Sequence, residues 1–250
     1  MLGAVDLRGI EVIAHRGASK EAPENTMSSF RRAAELGADW IELDIRKTKD
    51  GKAVVIHDGK LDRTTNGKGP VRDVNESELL KLDAGSWFGK QFEGECIPTL
   101  EKVFHWASLN MIKLHVEIKD YDLEKVLVAA VWDFDMIEKI VVSSRSFRVL
   151  KNFRSLEPRV KVAPIIITFP KINFLQHEFA PEYLHLWSGI TLTKKIVDAA
   201  HSSNMLINAW MVDSFNLLLR TARRGVTGVF TNEVSSIRRT IEQAMPNNWI

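Results

Sequence analysis

The chain has 250 residues, 45% of them hydrophobic and 26% charged, which fits one large domain or two small ones of ordinary globular composition. A formal net charge of +2 and the lack of any basic run leave no footprint for nucleic acid. A single cysteine, Cys96, excludes an intramolecular disulfide, Asp6, Arg8 and Glu11 spoil the N-terminus as a signal peptide, and no apolar run approaches the roughly 18 residues of a membrane span. A soluble, cytoplasmic protein without a transmembrane segment is the expectation.

The first apolar run, Ile10–His15, predicts a strand that ends on "HRG", His15 to Gly17. The stretch "NTMSSFRRAAELG" follows as a helix, with Asn25 or Thr26 able to cap it and Gly37 able to stop it, so that Met27, Phe30 and Ala33 or Ala34 share one face. Further strands are predicted at Asp39–Ile45, Ile112–Lys119, Lys139–Ser143, Val160–Ile167, Leu184–Trp187, Met205–Met211 and Thr227–Thr231. Between them lie helical patterns in "TLEKVFHWAS", "DLEKVLVAAVW", "SFRVLKNFRSL", "TKKIVDAAHS" and "SFNLLLRTARRG", with "VSSIRRTIEQAM" last. Eight strands interleaved with helices predict an α/β fold, a (β/α)8 TIM barrel forming a single domain over residues 1–250. The rival doubly wound sheet lacks its Gly-rich dinucleotide fingerprint after the first strand. A small insertion after the second strand, about residues 46–98, is rich in Gly, Asp and Lys with at most one short helix, "ESELLKL", and is expected at the C-terminal face of the barrel.

Parity along the strands gives direction, since residues two apart share a face. In "WIELDI" the apolar set Ile41, Leu43 and Ile45 faces the outer helices, which sends Trp40, Glu42 and Asp44 inward. In "IKLHVEIK" the same logic sends His115, Glu117 and Lys119 inward, with His115 deeper and read as core. Glu42, Asp44 and Glu117 cannot share a confined space as bare anions. Either one holds a proton, or Lys119 offsets one charge and a divalent cation the other two; hard oxygen donors without thiolate suit Mg²⁺ or Ca²⁺. A buried ion-pair network with Lys119 and Arg16 is the purely structural alternative. The "KDGK" turn, taken as a two-residue Asp50-Gly51 loop, pairs Lys49 with Lys52 and, counting back, Asp44 with His57. Two histidines, His15 and His57, then stand beside the carboxylates and Arg16. A cation and an arginine bind phosphate oxygens, and two histidines move protons, which is the equipment of metal-assisted phosphodiester cleavage.

The fragments "HRG", "PENT", "ELDI", "VVIHD", "LDRTTNGKG" and "HVEIK" occur in an order that resembles the glycerophosphodiester phosphodiesterase family over essentially the whole chain. That resemblance implies one divalent cation, Mg²⁺ or Ca²⁺, on Glu42, Asp44 and Glu117, with His15 and His57 as the acid–base pair. It also implies phosphate contacts from Arg16 and Lys119, with Glu24 and Asn25 lining the same mouth. The implied reaction converts a small-molecule glycerophosphodiester to glycerol 3-phosphate and an alcohol. Asp58 either orients His57 or serves the hairpin. Trp210, inward by parity with Asn208, is a candidate apolar wall for substrate. The family often carries Trp-Thr-Val-Asn near the seventh strand and Thr-Asp at the end of the last. Here "WMVD", with Met211 and Asp213, and Thr231-Asn232 stand instead, which bears on leaving-group preference. Two other readings stay open: a lysophospholipase D, for which Phe169, Phe174, Phe179 and Trp187 could line a lipid groove, and a non-catalytic barrel that only binds.

Overall fold

The computed structural model describes residues 6–169, 171–189 and 191–244. Eight parallel strands close into a barrel: β1 (Glu11–Ala14), β2 (Trp40–Lys47), β4 (Leu114–Ile118), β5 (Ile140–Ser144), β6 (Lys161–Ile166), β7 (Tyr183–Trp187), β8 (Leu206–Trp210) and β9 (Gly228–Thr231). Closure comes from β1, which pairs with β9 in the register Ile13 to Phe230 and with β2 in the register Ile13 to Trp40. Helices α1 (Met27–Glu35), α3 (Leu100–Leu109), α4 (Glu124–Asp133), α5 (Phe147–Leu156), α6 (Ile172–Phe179), α7 (Lys194–Ser202), α8 (Phe215–Ala222) and α9 (Val234–Gln243) follow the strands. No helix among the described residues is long and apolar enough to cross a membrane.

Local chemistry sets several of these elements. Thr26 caps α1, accepting from the Ser29 N–H while the Ser29 hydroxyl accepts in return from the Thr26 N–H, so two otherwise orphaned donors are satisfied. Asn25 is thereby free for another task. Thr99, Ser146, Thr193 and Ser214 cap α3, α5, α7 and α8 by a single bond each, the hydroxyl accepting from the N–H three residues on, without the return bond. Helix α6, which no predicted element covers, has no side-chain cap and is held by the buried face of Ile172, Leu175 and Phe179.

The parity of β2 and β4 is realised. Ile41, Leu43, Ile45, Leu114, Val116 and Ile118 belong to the shell between strands and helices. Ile13, Trp40, Val141, Ala163, Tyr183 and Phe230 plug the barrel interior. His115 lies among these rings, 4.8 Å from Trp40 and 5.1 Å from His185, and burial holds it neutral. It is core.

The insertion carries β3 (Ala53–Val55), antiparallel to the end of β2, and the short α2 (Glu76–Leu79). It has its own apolar centre in Val54, Ile56, Leu61, Val71, Leu79 and Ile97. The hairpin corrects the expected register by one residue. Lys47 faces Ala53 and Ile45 faces Val55, so Asp44 stands opposite Ile56, whose N–H donates to the Asp44 carbonyl at 3.0 Å. The loop has three residues, Lys49 to Gly51, with Gly51 at φ +80°. Thr48 closes it: its N–H donates to the Lys52 carbonyl and its hydroxyl accepts from the Lys52 N–H, both at 3.0 Å. His57 lies past the end of β3, where Arg46 Nε donates to its carbonyl at 2.7 Å.

Candidate active site

The "HRG" turn is built on backbone that few residues adopt. Arg16 has φ +58° and Gly17 φ +80°. A Cβ on Gly17 would stand 2.7 Å from the Ser29 backbone carbon, so only glycine lets this turn lie against α1. Turned back in this way, the Arg16 N–H donates to Glu42 Oε2 at 2.8 Å, its Nη1 donates to Glu24 Oε1 at 2.8 Å, and its Nε lies 3.3 Å from Asp44 Oδ2. Asn25, also at φ +58°, clasps Asp44: its Nδ2 donates to Asp44 Oδ2 at 2.8 Å and its Oδ1 accepts from the Asp44 N–H at 3.2 Å. Positive φ at two non-glycine residues is a cost tolerated where side chains must converge.

Glu42, Asp44 and Glu117 each present an oxygen within 4.8 Å of the others, and all three are buried. Lys119 Nζ sits 2.7 Å from Glu117 Oε2 and 3.0 Å from Asp44 Oδ1, the latter an ion-pair contact without hydrogen-bond alignment. Burial raises the Glu42 carboxyl well above its ordinary range, with Asp44 and Glu117 adding to the shift. Glu117 is raised by burial and by Asp44. Burial acts on Asp44 too, but Lys119 and Arg16 outweigh it and hold Asp44 well below the usual carboxylate range. Two carboxyls reluctant to ionise beside one strongly ionised suit a further positive charge in their midst. The donor set is oxygen only, and the orphaned, buried Asp44 Oδ1 points to the same need, so the residues fit a divalent cation.

Both histidines are anchored through Nδ1. His15 Nδ1 is 2.9 Å from Asn232 Oδ1, and His57 Nδ1 is 2.6 Å from Asp58 Oδ1. Burial, then Arg16, lowers the His15 pKa to about 4; burial lowers that of His57 as well, against the pull of Asp44. Asp58 has no part in the hairpin loop and serves His57. Arg63 holds it by Nε at 2.7 Å and reaches across to Glu24 at 2.7 and 2.8 Å. Arg16, Glu24, Arg63, Asp58 and His57 thus form one chain of alternating charge from the barrel to the insertion.

A cleft of about 210 Å³ opens at the C-terminal ends of the strands, lined by His15, Arg16, Glu42, His57, Glu117, Lys119 and Trp210 among others. Asp44 lies just beneath, 1% exposed. Glu24 and Asn25, expected at the mouth, instead line a small neighbouring cavity and act from behind, on Arg16, Arg63 and Asp44. Ser143, Arg145, Ile165, His185 and Phe230 line the cleft without having been singled out, and Met211, a departure from the family pattern, lines it too. Strand parity with Val141 would have found Ser143 and Arg145. Arg145 lies over the Trp210 ring at 5.9 Å. The two departures from the family pattern meet each other: Asn232 Nδ2 donates to Asp213 Oδ2 at 2.8 Å.

A family model described as the glycerophosphoryl diester phosphodiesterase family matches residues 15–236. A glycerophosphodiester phosphodiesterase of Caldanaerobacter subterraneus subsp. tengcongensis is 35% identical over 237 residues, 90% of this chain and 95% of its own. One of Bacillus subtilis is 32% identical over 251 residues, 89% of this chain and 83% of its own. Among solved structures, a phosphodiesterase of Oleispira antarctica in complex with the product sn-glycerol-3-phosphate superposes with a TM-score of 0.85 at 29% identity, covering 93% of this chain and 96% of that one. A glycerophosphodiester phosphodiesterase of Agrobacterium tumefaciens gives 0.84 at 28%, covering 92% and 99%. By its sequence over nearly its whole length, and by a barrel shared with those structures, the chain belongs to the glycerophosphoryl diester phosphodiesterase family.

Proposed function

We propose that this single barrel domain hydrolyses glycerophosphodiesters to glycerol 3-phosphate and an alcohol, with His15 and His57 as the acid–base pair. Glu42, Asp44 and Glu117 would hold one Mg²⁺ or Ca²⁺, and we place the activity in the cytoplasm. The observation that carries this reading is the cleft itself, where two histidines anchored through Nδ1, Arg16 and Lys119 surround a buried carboxylate triad. The bound ion would supply Lewis-acid stabilisation of charge on the phosphoryl oxygens. Arg16 and Lys119 bind the phosphate, with Trp210 as an apolar wall against one substituent. One histidine takes the proton from the glycerol hydroxyl that attacks phosphorus and the other delivers one to the departing alcohol oxygen; water then opens the cyclic phosphate with the two proton transfers reversed, so the net change is addition of water across the P–O bond. The test is release of glycerol 3-phosphate from glycerophosphocholine with Mg²⁺, with Ca²⁺ and with chelator, beside His15→Ala and Glu117→Ala. Ion-dependent release abolished by both substitutions supports the assignment, and no release with either ion overturns it.

A second reading has its own observation. Phe179 is buried, but Ile167, Phe169, Phe174 and Trp187 are 53%, 63%, 46% and 42% exposed, after β6, at the end of β7 and on α6, and Phe169 and Phe174 line a separate groove with Phe147 and Leu175. Such a patch suits the acyl chain of a lysophospholipid whose phosphate occupies the cleft. On that reading Phe169→Ser with Phe174→Ser lowers turnover of lysophosphatidylcholine and spares glycerophosphocholine. Equal rates for both substrates in the two proteins would exclude it.

A further inference from the structure

We propose that Asp213, at the barrel rim after β8, is a positioning residue that acts through Asn232 to fix the tautomer of His15. The proposal rests on the reading of His15 as an acid–base residue. His15, Asn232 and Asp213 follow the adjacent strands β1, β9 and β8, so three residues up to 217 positions apart stand in a row.

The direction of every hydrogen bond in this row is set at its outer end. Asp213 Oδ1 accepts from the Asn232 backbone N–H at 2.8 Å and from the Thr231 hydroxyl at 3.0 Å. Asp213 Oδ2 accepts from Asn232 Nδ2 at 2.8 Å. An ionised carboxylate only accepts, so the amide group of Asn232 must turn its NH2 outward and its carbonyl inward. That carbonyl receives the Ser19 hydroxyl at 2.9 Å and lies 2.9 Å from His15 Nδ1. A carbonyl also only accepts, so His15 carries its proton on Nδ1 and its neutral ring turns the Nε2 lone pair to the cleft. Ser19 cannot make this choice, because a hydroxyl donates or accepts with equal ease. Asp213 has no lysine or arginine within ion-pair distance among the described residues, so its two oxygens are committed to this task.

Asp213→Asn reverses the chain rather than merely weakening it. Two donors still converge on the Oδ1 position, so the new amide places its NH2 against Asn232, whose carbonyl turns outward and whose NH2 turns to His15. Nδ1 must then accept, and the proton moves to Nε2. Exchanging both residues, Asp213→Asn with Asn232→Asp, restores an acceptor beside His15 Nδ1 and is expected to rescue.

The experiment compares wild type, Asp213→Asn, the double exchange and His15→Ala in the Mg²⁺-loaded protein. Its readouts are kcat and KM on glycerophosphocholine and the imidazole ¹⁵N shifts of His15, assigned through the His15→Ala spectrum. The expected result is a kcat about 10- to 100-fold lower for Asp213→Asn with KM nearly unchanged, an Nε2–H tautomer in its spectrum, and recovery of both in the double exchange. Wild-type kcat and an unchanged tautomer in Asp213→Asn would overturn the proposal, as would a double exchange no better than the single. Activity surviving in His15→Ala would instead defeat the acid–base reading itself, which separates the two failures.

Discussion

Replacing Glu42 by glutamine tests the electrostatics of the triad directly. Oxygens of the three carboxylates lie within 4.8 Å of one another. At an effective dielectric constant of 20, a pair of charges at the full 4.8 Å repels by about 3.5 kcal/mol and any closer pair by more. Lys119 and Arg16 relieve part of this, but their charged nitrogens pair with Glu117, Asp44 and Glu24, while Glu42 receives only the Arg16 backbone N–H. The net penalty is what raises the Glu42 carboxyl, after burial itself. A glutamine keeps the acceptor for the Arg16 N–H and removes the charge. With chelator at neutral pH, Glu42→Gln is therefore expected to stabilise the protein by about 1–3 kcal/mol, close to 2–4 °C in Tm per kcal/mol. The pH dependence has a definite sign. A carboxyl whose folded pKa is raised detracts from stability above its ordinary value of 4.5, so the advantage vanishes below about 4.5 and is full above the folded pKa. Mg²⁺ or Ca²⁺ removes most or all of this advantage, because the wild type gains about 2.7 kcal/mol at an ion concentration 100 times Kd and the variant, short of one ligand, gains less. Thermal unfolding with chelator and with each ion reads all of this. A variant less stable than wild type in chelator at neutral pH, or equally stabilised by ion, would refute the reasoning.

His15→Ala and His57→Ala should each lower kcat by about 10²- to 10⁴-fold. With the His15 pKa lowered to about 4, its neutral form persists well below the ordinary 6.5, so the acid limb of kcat/KM lies near about 4; a limb at 6.5 assigned to His15 would contradict this. Arg63→Ala frees Asp58 and Glu24 together and should cost about tenfold in kcat with ion affinity unchanged, measured by steady-state kinetics and ion titration. Gly17→Ala sets a Cβ against Ser29 at φ +80° and should destabilise by about 1–3 kcal/mol, read as a lower urea midpoint at constant m.

Which side chains enter the barrel is written in local alternation along the chain. Inward and outward alternate with period two along a strand, so Glu42, Asp44, Glu117 and Lys119 were legible from the apolar partners they alternate with. Both faces of the two strands are buried, and the parity shows instead in what each face meets: Ile41, Leu43, Ile45, Leu114, Val116 and Ile118 join the shell under the helices, while Trp40 joins the barrel plug and Glu42, Glu117 and Lys119 line the cleft. The eight strands were legible for the same local reason, and the cap of α1 was narrowed to Asn25 or Thr26, of which the structure uses Thr26. The hairpin register was not. Asp-Gly names a turn, but the Thr48 hydroxyl closes a three-residue loop instead of a two-residue one, and one residue shifts every cross-strand partner. Helix α6 lacked a cap to announce it and owes its place to packing. The same packing decides why Phe179 is core while Phe169 and Phe174 face solvent. Everything that orients the histidines was likewise out of local reach, apart from Asp58. Arg63 meets Glu24 across 39 positions, and His15 meets Asn232 across 217. Such pairs exist only because barrel closure sets the first strand beside the last and the insertion beside the mouth. Spacing along the chain carries the faces of elements, whereas the partners that set charge and tautomer in the cleft are created by the tertiary fold.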